Sequence, residues 1–226
     1  MVPSLSLVTR RGSFVRTPMN KTWKRNISYR KRIVKARYHI RDRILIVCEG
    51  KKTEPNYFRN FPVNIDLVNL DVEGTGANTT SLVQYAIDLK KDAMDRGKTY
   101  NQTWCVFDRD SFPAGNFNNA FKLAKNNYIK IAYSNQCFEL WYLLHYNFYD
   151  ASIDRKAYAR KLTILMGKKY KKNDKYMYYF LIEKQKIAIS NAKKLRARYV
   201  ICNPEKDDPC TTIYLLVEAL NEYINS

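Results

Sequence analysis

The sequence predicts an α/β fold: a mostly parallel central sheet of about four strands flanked by helices, with a basic helical addition at the C-terminus. Three observations predict it. Short apolar runs suited to strands buried on both faces alternate with segments whose apolar residues recur at helical spacing. Two of those runs end in acids, Glu49 and the pair Asp108 and Asp110, which is where open α/β sheets place their chemistry. The charge is also lopsided: 40 Lys and Arg against 21 Asp and Glu leave +19 over 226 residues, gathered before residue 43 and after residue 153.

Residues 1–43 read as a basic arm. Arginines and lysines recur throughout it and the first acid is Asp42, a crowding of like charge that resists independent folding. Trp23, Tyr29 and Tyr38 set rings among the charges, a mixture that suits a phosphate backbone with unstacked bases, although such an arm can also be only a solubilising tail. The opening VPSLSLV is too short an apolar region for a signal peptide, and arginines follow where a cleavage site should be.

Residues 44–150 read as the α/β core. Ile44 to Cys48 predicts a central strand that delivers Glu49, and Thr53 with Pro55 behind it predicts a helix cap and first turn. Ile65 to Val72 predicts the second strand. The glycine-bearing loop from Glu73 to Asn78 then opens a helix carrying Leu82, Val83, Ala86 and Ile87, with Gly97 as its stop. Amides of that loop could meet a phosphate, or the glycines could simply make a tight turn. Thr103 to Phe107 predicts the third strand and delivers Asp108, Arg109 and Asp110 into a turn with Pro113 and Gly115. A helix with Phe117, Ala120, Phe121 and Ala124 inward follows, and Tyr128 to Tyr133 predicts the fourth strand. Ser134 to Tyr146 starts polar and continues as an apolar helix in which Glu139 sits among Phe138, Leu140 and Trp141. A buried acid must be paired, hydrogen-bonded or metal-bound, so Glu139 is either a structural acid or part of a site.

Residues 151–226 read as a basic helical region with a closing helix packed on the core. One helix is predicted from Asp154 to Met166. A longer one is predicted from Tyr176 to Tyr199, with Tyr176, Phe180, Ile187, Ala192, Leu195 and Tyr199 inward. Lys168, Lys169, Lys171 and Lys172 crowd the connection between them. Asp207 to Cys210 predicts a polar turn, and Ile213, Leu216, Val217, Leu220 and Ile224 the closing helix.

Several classes are excluded. GKKT at 50–53 resembles the tail of a P-loop, but Leu45 stands where that motif needs glycine. The 5 cysteines show no CxxC spacing and the 2 histidines lie far apart, which argues against a disulfide framework or a zinc site and for the cytoplasm. No apolar run approaches the roughly 18 residues that span a bilayer. The net charge points to a polyanion, nucleic acid ahead of an anionic membrane surface. Carboxylates at the ends of two neighbouring strands would make an oxygen-rich cage suited to Mg²⁺ or Mn²⁺, which can activate water and neutralise a leaving phosphate oxygen.

A strand ending in Glu49–Gly50, a βα unit and a strand ending in DxD resemble the Toprim domain of topoisomerases, primases and certain nucleases. More specifically, IVCEGKKTEPNYF, FDRD, SNQCFELWYLLH and DPCTTIYLLVEAL, in that order, resemble the RloB-like family of Toprim proteins. The sequence departs from the family pattern at Gln136, usually proline, and at DPCTT, usually closer to NPST. The resemblance implies a Toprim-like fold and metal-dependent cleavage of phosphodiesters. It implies Glu49 as general acid or base beside the metal, Asp108 and Asp110 as ligands, a prokaryotic phage-defence setting with an ATPase or other sensing partner, and RNA, including tRNA, as a target. The catalytic set is then Glu49, Asp108, Asp110 and Glu139, with Lys51, Lys52, Arg109, Lys168, Lys169, Lys171 and Lys172 on the nucleic acid. The alternative is a non-catalytic nucleic-acid-binding or sensor subunit.

Overall fold

The computed structural model describes residues 41–109 and 114–224. Nearly all of the predicted arm, together with Asp110 and Pro113, lies outside the described residues. Strands β1 (Asp42–Cys48), β2 (Val68–Gly74), β3 (Gln102–Asp108) and β4 (Lys130–Asn135) are parallel, and β5 (Cys210–Thr211) adds to β4 antiparallel, in the order β2-β1-β3-β4-β5. The predicted α/β class with a mostly parallel sheet is therefore the observed one, with one short strand more than expected.

Helices α1 (Thr53–Arg59), α2 (Thr79–Asp95) and α3 (Ala114–Asn126) alternate with the first four strands. They are followed by α4 (Glu139–Leu144), α5 (Arg155–Met166), α6 (Met177–Leu181), α7 (Gln185–Ala197) and α8 (Ile213–Asn221). Successive strand side chains point to opposite faces, and both faces of β1 are covered. Ile44, Ile46 and Cys48 join Trp104, Val106 and Ala132 against α1 and α4 to α8. Leu45 and Val47 join Cys105, Phe107 and Tyr133 against Leu82, Val83 and Ala86 of α2 and Phe117, Ala120 and Ala124 of α3. Burying each such Leu, Ile or Phe contributes about 1.5–3 kcal/mol. Cys48, Cys105, Cys137 and Cys210 are free thiols inside this packing, and Cys202 is free and exposed.

Four local expectations are corrected. The second strand begins at Val68 instead of Ile65, because the Asn64 side chain accepts from Asp66 N–H and its carbonyl from Leu67 N–H, making a turn of those residues. Thr53 is the first helical residue of α1 and its hydroxyl donates to Asn173 Oδ1 at 2.8 Å instead of capping the helix. The predicted helix 176–199 is divided by a 3₁₀ turn, Ile182–Lys184, and its inner face is displaced. Ala192 and Leu195 are buried as expected, but up to Ala188 two rows of apolar residues run at helical spacing and the core takes the other one: Met177, Tyr178, Leu181 and Ala188 are buried while Tyr176, Phe180 and Ile187 are exposed.

The fourth correction concerns the predicted polar turn, whose last residue forms β5. Ser134 Oγ and Thr211 Oγ1 are hydrogen-bonded at 2.9 Å, and Tyr133 N–H donates to Thr212 Oγ1 at 3.0 Å. The end of β4 is thereby paired without a long edge. His145, on the buried α4 side, donates from Nδ1 to Trp141 O at 2.8 Å, and burial pushes its pKa down to about 4. It is a neutral core histidine. Replacing Thr212 by Val leaves the buried Tyr133 amide unpaired, so Thr212→Val is expected to lower unfolding free energy by about 1–3 kcal/mol in urea titration. An unchanged midpoint would mean that β5 does not hold the sheet edge.

Candidate functional site

The chain passes from β1 to β2 on one side of β1 and then returns to place β3 on the other, so the connections diverge at the β1/β3 pair. A crevice opens outside their carboxyl ends, as it does at the switch point of other open α/β sheets. Glu49 follows β1 and Asp108 ends β3, and the backbone ties them. Glu49 N–H donates to Val106 O at 2.8 Å, and Asp108 N–H donates to Glu49 Oε2 at 3.1 Å.

A cleft of about 360 Å³ lies here. Its acids are Glu49, Glu54, Asp108 and Glu139, and its cations are Lys51, Lys52, Arg155 and Lys172. Glu54 and Glu139 stand in the first turns of α1 and α4, where the backbone dipole favours an acid. Gly50 has a local reason: a Cβ there would collide with the Glu54 carboxylate, which folds back over the loop. Glu139 Oε1 accepts from Tyr170 O–H at 3.0 Å. Asp154 caps α5 by accepting from Ala157 N–H at 2.9 Å, which places Arg155 at the helix start, and Arg155 Nη2 donates to Asp108 Oδ2 at 3.0 Å.

The electrostatics follow from crowding acids where water is scarce. Burial, then the charges of Glu54 and Glu139, hold the Asp108 carboxyl well above the usual aspartate range, with Arg155 opposing and Glu49 adding. Burial also holds Glu54 above the glutamate range, reinforced by Glu139 and opposed by its own amide, Lys172 and the Gly50 amide. Asp108 Oδ1 is buried and has no hydrogen-bond partner among the described residues.

The structure thus brings together three of the four predicted acids, Glu49, Asp108 and Glu139, while Asp110 lies outside the described residues. Lys51, Lys52 and Lys172 line the same cleft. Arg109 instead lines an adjoining cleft of about 530 Å³ with Asn135, Gln136 and Lys206, and Arg155 borders both. Lys168, Lys169 and Lys171 are exposed on the segment leading to Lys172. Sequence reasoning passed over Glu54 and Arg155. Glu54 had a signal, since a second acid five residues after Glu49 in the same strand-to-helix junction returns to the strand's end. Arg155 had none, because only the packing of α5 brings it to Asp108.

No three His, Cys, Asp or Glu side chains among the described residues already stand as a metal-ligating group. The donor chemistry nevertheless fits a hard divalent cation. All four acids offer oxygen, one oxygen of Asp108 is buried with no hydrogen-bond partner among the described residues, and the anionic forms repel one another unless a cation or proton joins them.

Residues 44–220 match the RloB-like protein family. The chain belongs to that family. No curated protein and no solved structure matches it. The RloB-like span runs from the third residue of β1 to the penultimate residue of α8, so it takes in every described strand and the whole cleft. Among the described residues no helix is long and apolar enough to cross a membrane.

The folded-state pKa values of Asp108 and Glu54 stand above their unfolded values of about 4. These carboxyls therefore favour the folded state below about pH 4, and that contribution is lost as pH rises through their raised values. Asp108→Asn is expected to melt higher than the parent in EDTA at neutral pH, by about 2–4 °C per kcal/mol relieved, and the gap should close on acidification. A variant that melts lower at neutral pH would show that the Arg155 pair outweighs the crowding.

Proposed function

We propose that the protein is a Toprim-like, Mg²⁺- or Mn²⁺-dependent endonuclease that hydrolyses phosphodiesters, with RNA, tRNA included, favoured over DNA by the family resemblance. The observation that carries the proposal is the convergence of Glu49, Glu54, Asp108 and Glu139 at the β1/β3 crevice inside a ring of lysine and arginine. Acids alone would repel a phosphodiester; acids that share a cation, rimmed by positive side chains, can receive one.

Glu49 and Asp108, with Asp110, would hold the metal, which supplies an activated water and screens charge on the leaving oxygen. Glu54, whose burial holds its carboxyl above the usual glutamate range, is suited to exchange a proton with the attacking or leaving oxygen, and Glu139, buried in the same cleft, is held by Tyr170. Arg155 is half-exposed and paired with Asp108, and its guanidinium could turn to a non-bridging phosphate oxygen. Lys51, Lys52 and Lys172 flank the cleft and would orient the strand, with Arg109 continuing the cationic surface into the adjoining cleft. The setting that the resemblance favours is a prokaryotic phage-defence system in the cytoplasm, beside an ATPase or another sensing partner.

A non-catalytic nucleic-acid-binding or sensor subunit is the second reading. The ion pair between Arg155 and Asp108 favours it, because a paired Asp108 can serve structure alone.

Glu49→Gln, Glu54→Gln and Asp108→Asn separate the two. Each is expected to slow cleavage of labelled RNA by about 10²–10⁴-fold while leaving its binding within a few-fold. A parent that binds the RNA without cutting it would favour the sensor, and full cleavage in all three variants would remove these carboxylates from the mechanism. Mn²⁺ at 100 times its Kd is expected to stabilise the parent by about 2.7 kcal/mol in thermal melts. Asp108→Asn should lose most of that shift. Gly50→Ala, which pushes the Glu54 carboxylate from its seat, is expected to reduce cleavage by at least about tenfold with little change in melting temperature. An active Gly50→Ala enzyme would remove Glu54 from the chemistry.

A further inference from the structure

We infer that the outer face of α6 is a stacking platform for unpaired bases, so that the strand entering the cleft is single-stranded nucleic acid, an RNA loop or end rather than a duplex. The inference rests on the nucleic-acid reading above and specifies the form of its substrate. Three rings carry it. Tyr176, Tyr179 and Phe180 are 53%, 59% and 46% exposed, and their spacing of three and four residues puts them on one side of the helical turn. The opposite side, Met177, Tyr178 and Leu181, is buried, so the exposed row is not left over from a failed core contact.

Lysine surrounds these rings. Lys168 Nζ lies 3.0 Å from the Phe180 ring centroid and Lys175 Nζ 5.0 Å from that of Tyr176. Lys169 and Lys171 are exposed on the same connection, and Asp174, the acid of that connection, is engaged in accepting from Tyr176 N–H at 2.9 Å. Exposed rings alternating with cations are what a single strand needs, since every base has a face to stack and every nucleotide a phosphate to neutralise.

The platform is also held in place beside the acids. Asn173 accepts from Thr53 Oγ1 at 2.8 Å and from Asn56 Nδ2 at 3.0 Å, and Asn60 Nδ2 donates to Lys175 O at 2.8 Å. These bonds pin the lysine segment to α1, the helix that carries Glu54. Beneath, the Tyr178 ring packs on Tyr57 of α1 at 5.3 Å. Lys172 and Asn173 belong to the cleft lining itself, so a strand stacked on α6 continues into it.

The test uses full-length Asp108→Asn protein in EDTA, so that binding is read without cleavage. Its probes are a short single-stranded RNA containing 2-aminopurine and the duplex of the same sequence. Replacing Tyr176, Tyr179 and Phe180 together by Ser is expected to weaken single-strand binding by at least about fivefold for each ring that stacks. It should abolish the 2-aminopurine quench and leave duplex affinity and melting temperature unchanged. Lys168→Gln with Lys171→Gln should weaken both probes and flatten the salt dependence. Unchanged single-strand affinity and quench in the ring variant, equal losses for both probes, or no binding of either would overturn the platform. So would a lower melting temperature, which would place this chain or a second copy on the rings. The two proposals fail separately. Ring-independent binding by a parent that cuts RNA sinks the platform alone, and ring-dependent binding by a chain whose carboxylates are dispensable sinks the nuclease alone.

Discussion

Four carboxylates share a small, poorly solvated space, and much of the surrounding structure exists to hold them there. A charge removed from water is costly unless something compensates it. Here the compensation is divided among different kinds of group. The Asp108 amide serves Glu49, Tyr170 serves Glu139, Arg155 serves Asp108, and backbone amides of the Gly50 loop serve Glu54. None offsets the burial, to which the neighbouring acids add, and so the carboxyls of Asp108 and Glu54 remain harder to ionise than usual. A site in that condition takes up protons or cations readily, and that property links the fold to the chemistry proposed for it.

The crowding can persist because its supports are stiff. Glu54 and Glu139 stand in the first turns of helices that carry or adjoin aromatic rings, and those rings interlock beneath the cleft. Tyr57 meets Phe138 edge-on at 5.8 Å, Phe58 meets Phe138 at 6.0 Å, and Phe138 meets Tyr142 at 5.2 Å. Such edge-to-face pairs contribute about 0.5–1.5 kcal/mol each beyond burial. They also fix the angle between α1 and α4, and thereby the separation of their two acids. Because Tyr178 joins the same cluster, the floor of the cleft and the base of the lysine segment are one packed unit.

Charge is distributed to match. The acids lie inside, on helix starts and strand ends, while the cations lie on long side chains at the rim. A phosphodiester approaching from solvent would meet lysine and arginine before carboxylate. Arg155 belongs to both layers, since it touches an acid and borders the adjoining cleft with Arg109.

The sequence by itself determined the α/β class, the places where β1 and β3 end, and the acids carried there. Strand-length apolar runs and acids at their carboxyl ends are local patterns, legible without neighbours. It also disclosed the cationic character of the 168–172 segment and, through four ordered blocks, the family. What it left undecided required residues far apart in the chain to meet. Glu54 and Glu139 joined the acids because the packing of α1 and α4 on the sheet brings both helix starts to one cleft, and Arg155 reached Asp108, 47 residues away in the chain, from the start of a helix that Asp154 caps. Which of two apolar rows turned inward in the first part of the 176–199 segment was likewise a tertiary decision. Both rows have helical period, and only the shape of the core selects Met177, Tyr178 and Leu181 while leaving Tyr176, Tyr179 and Phe180 in solvent.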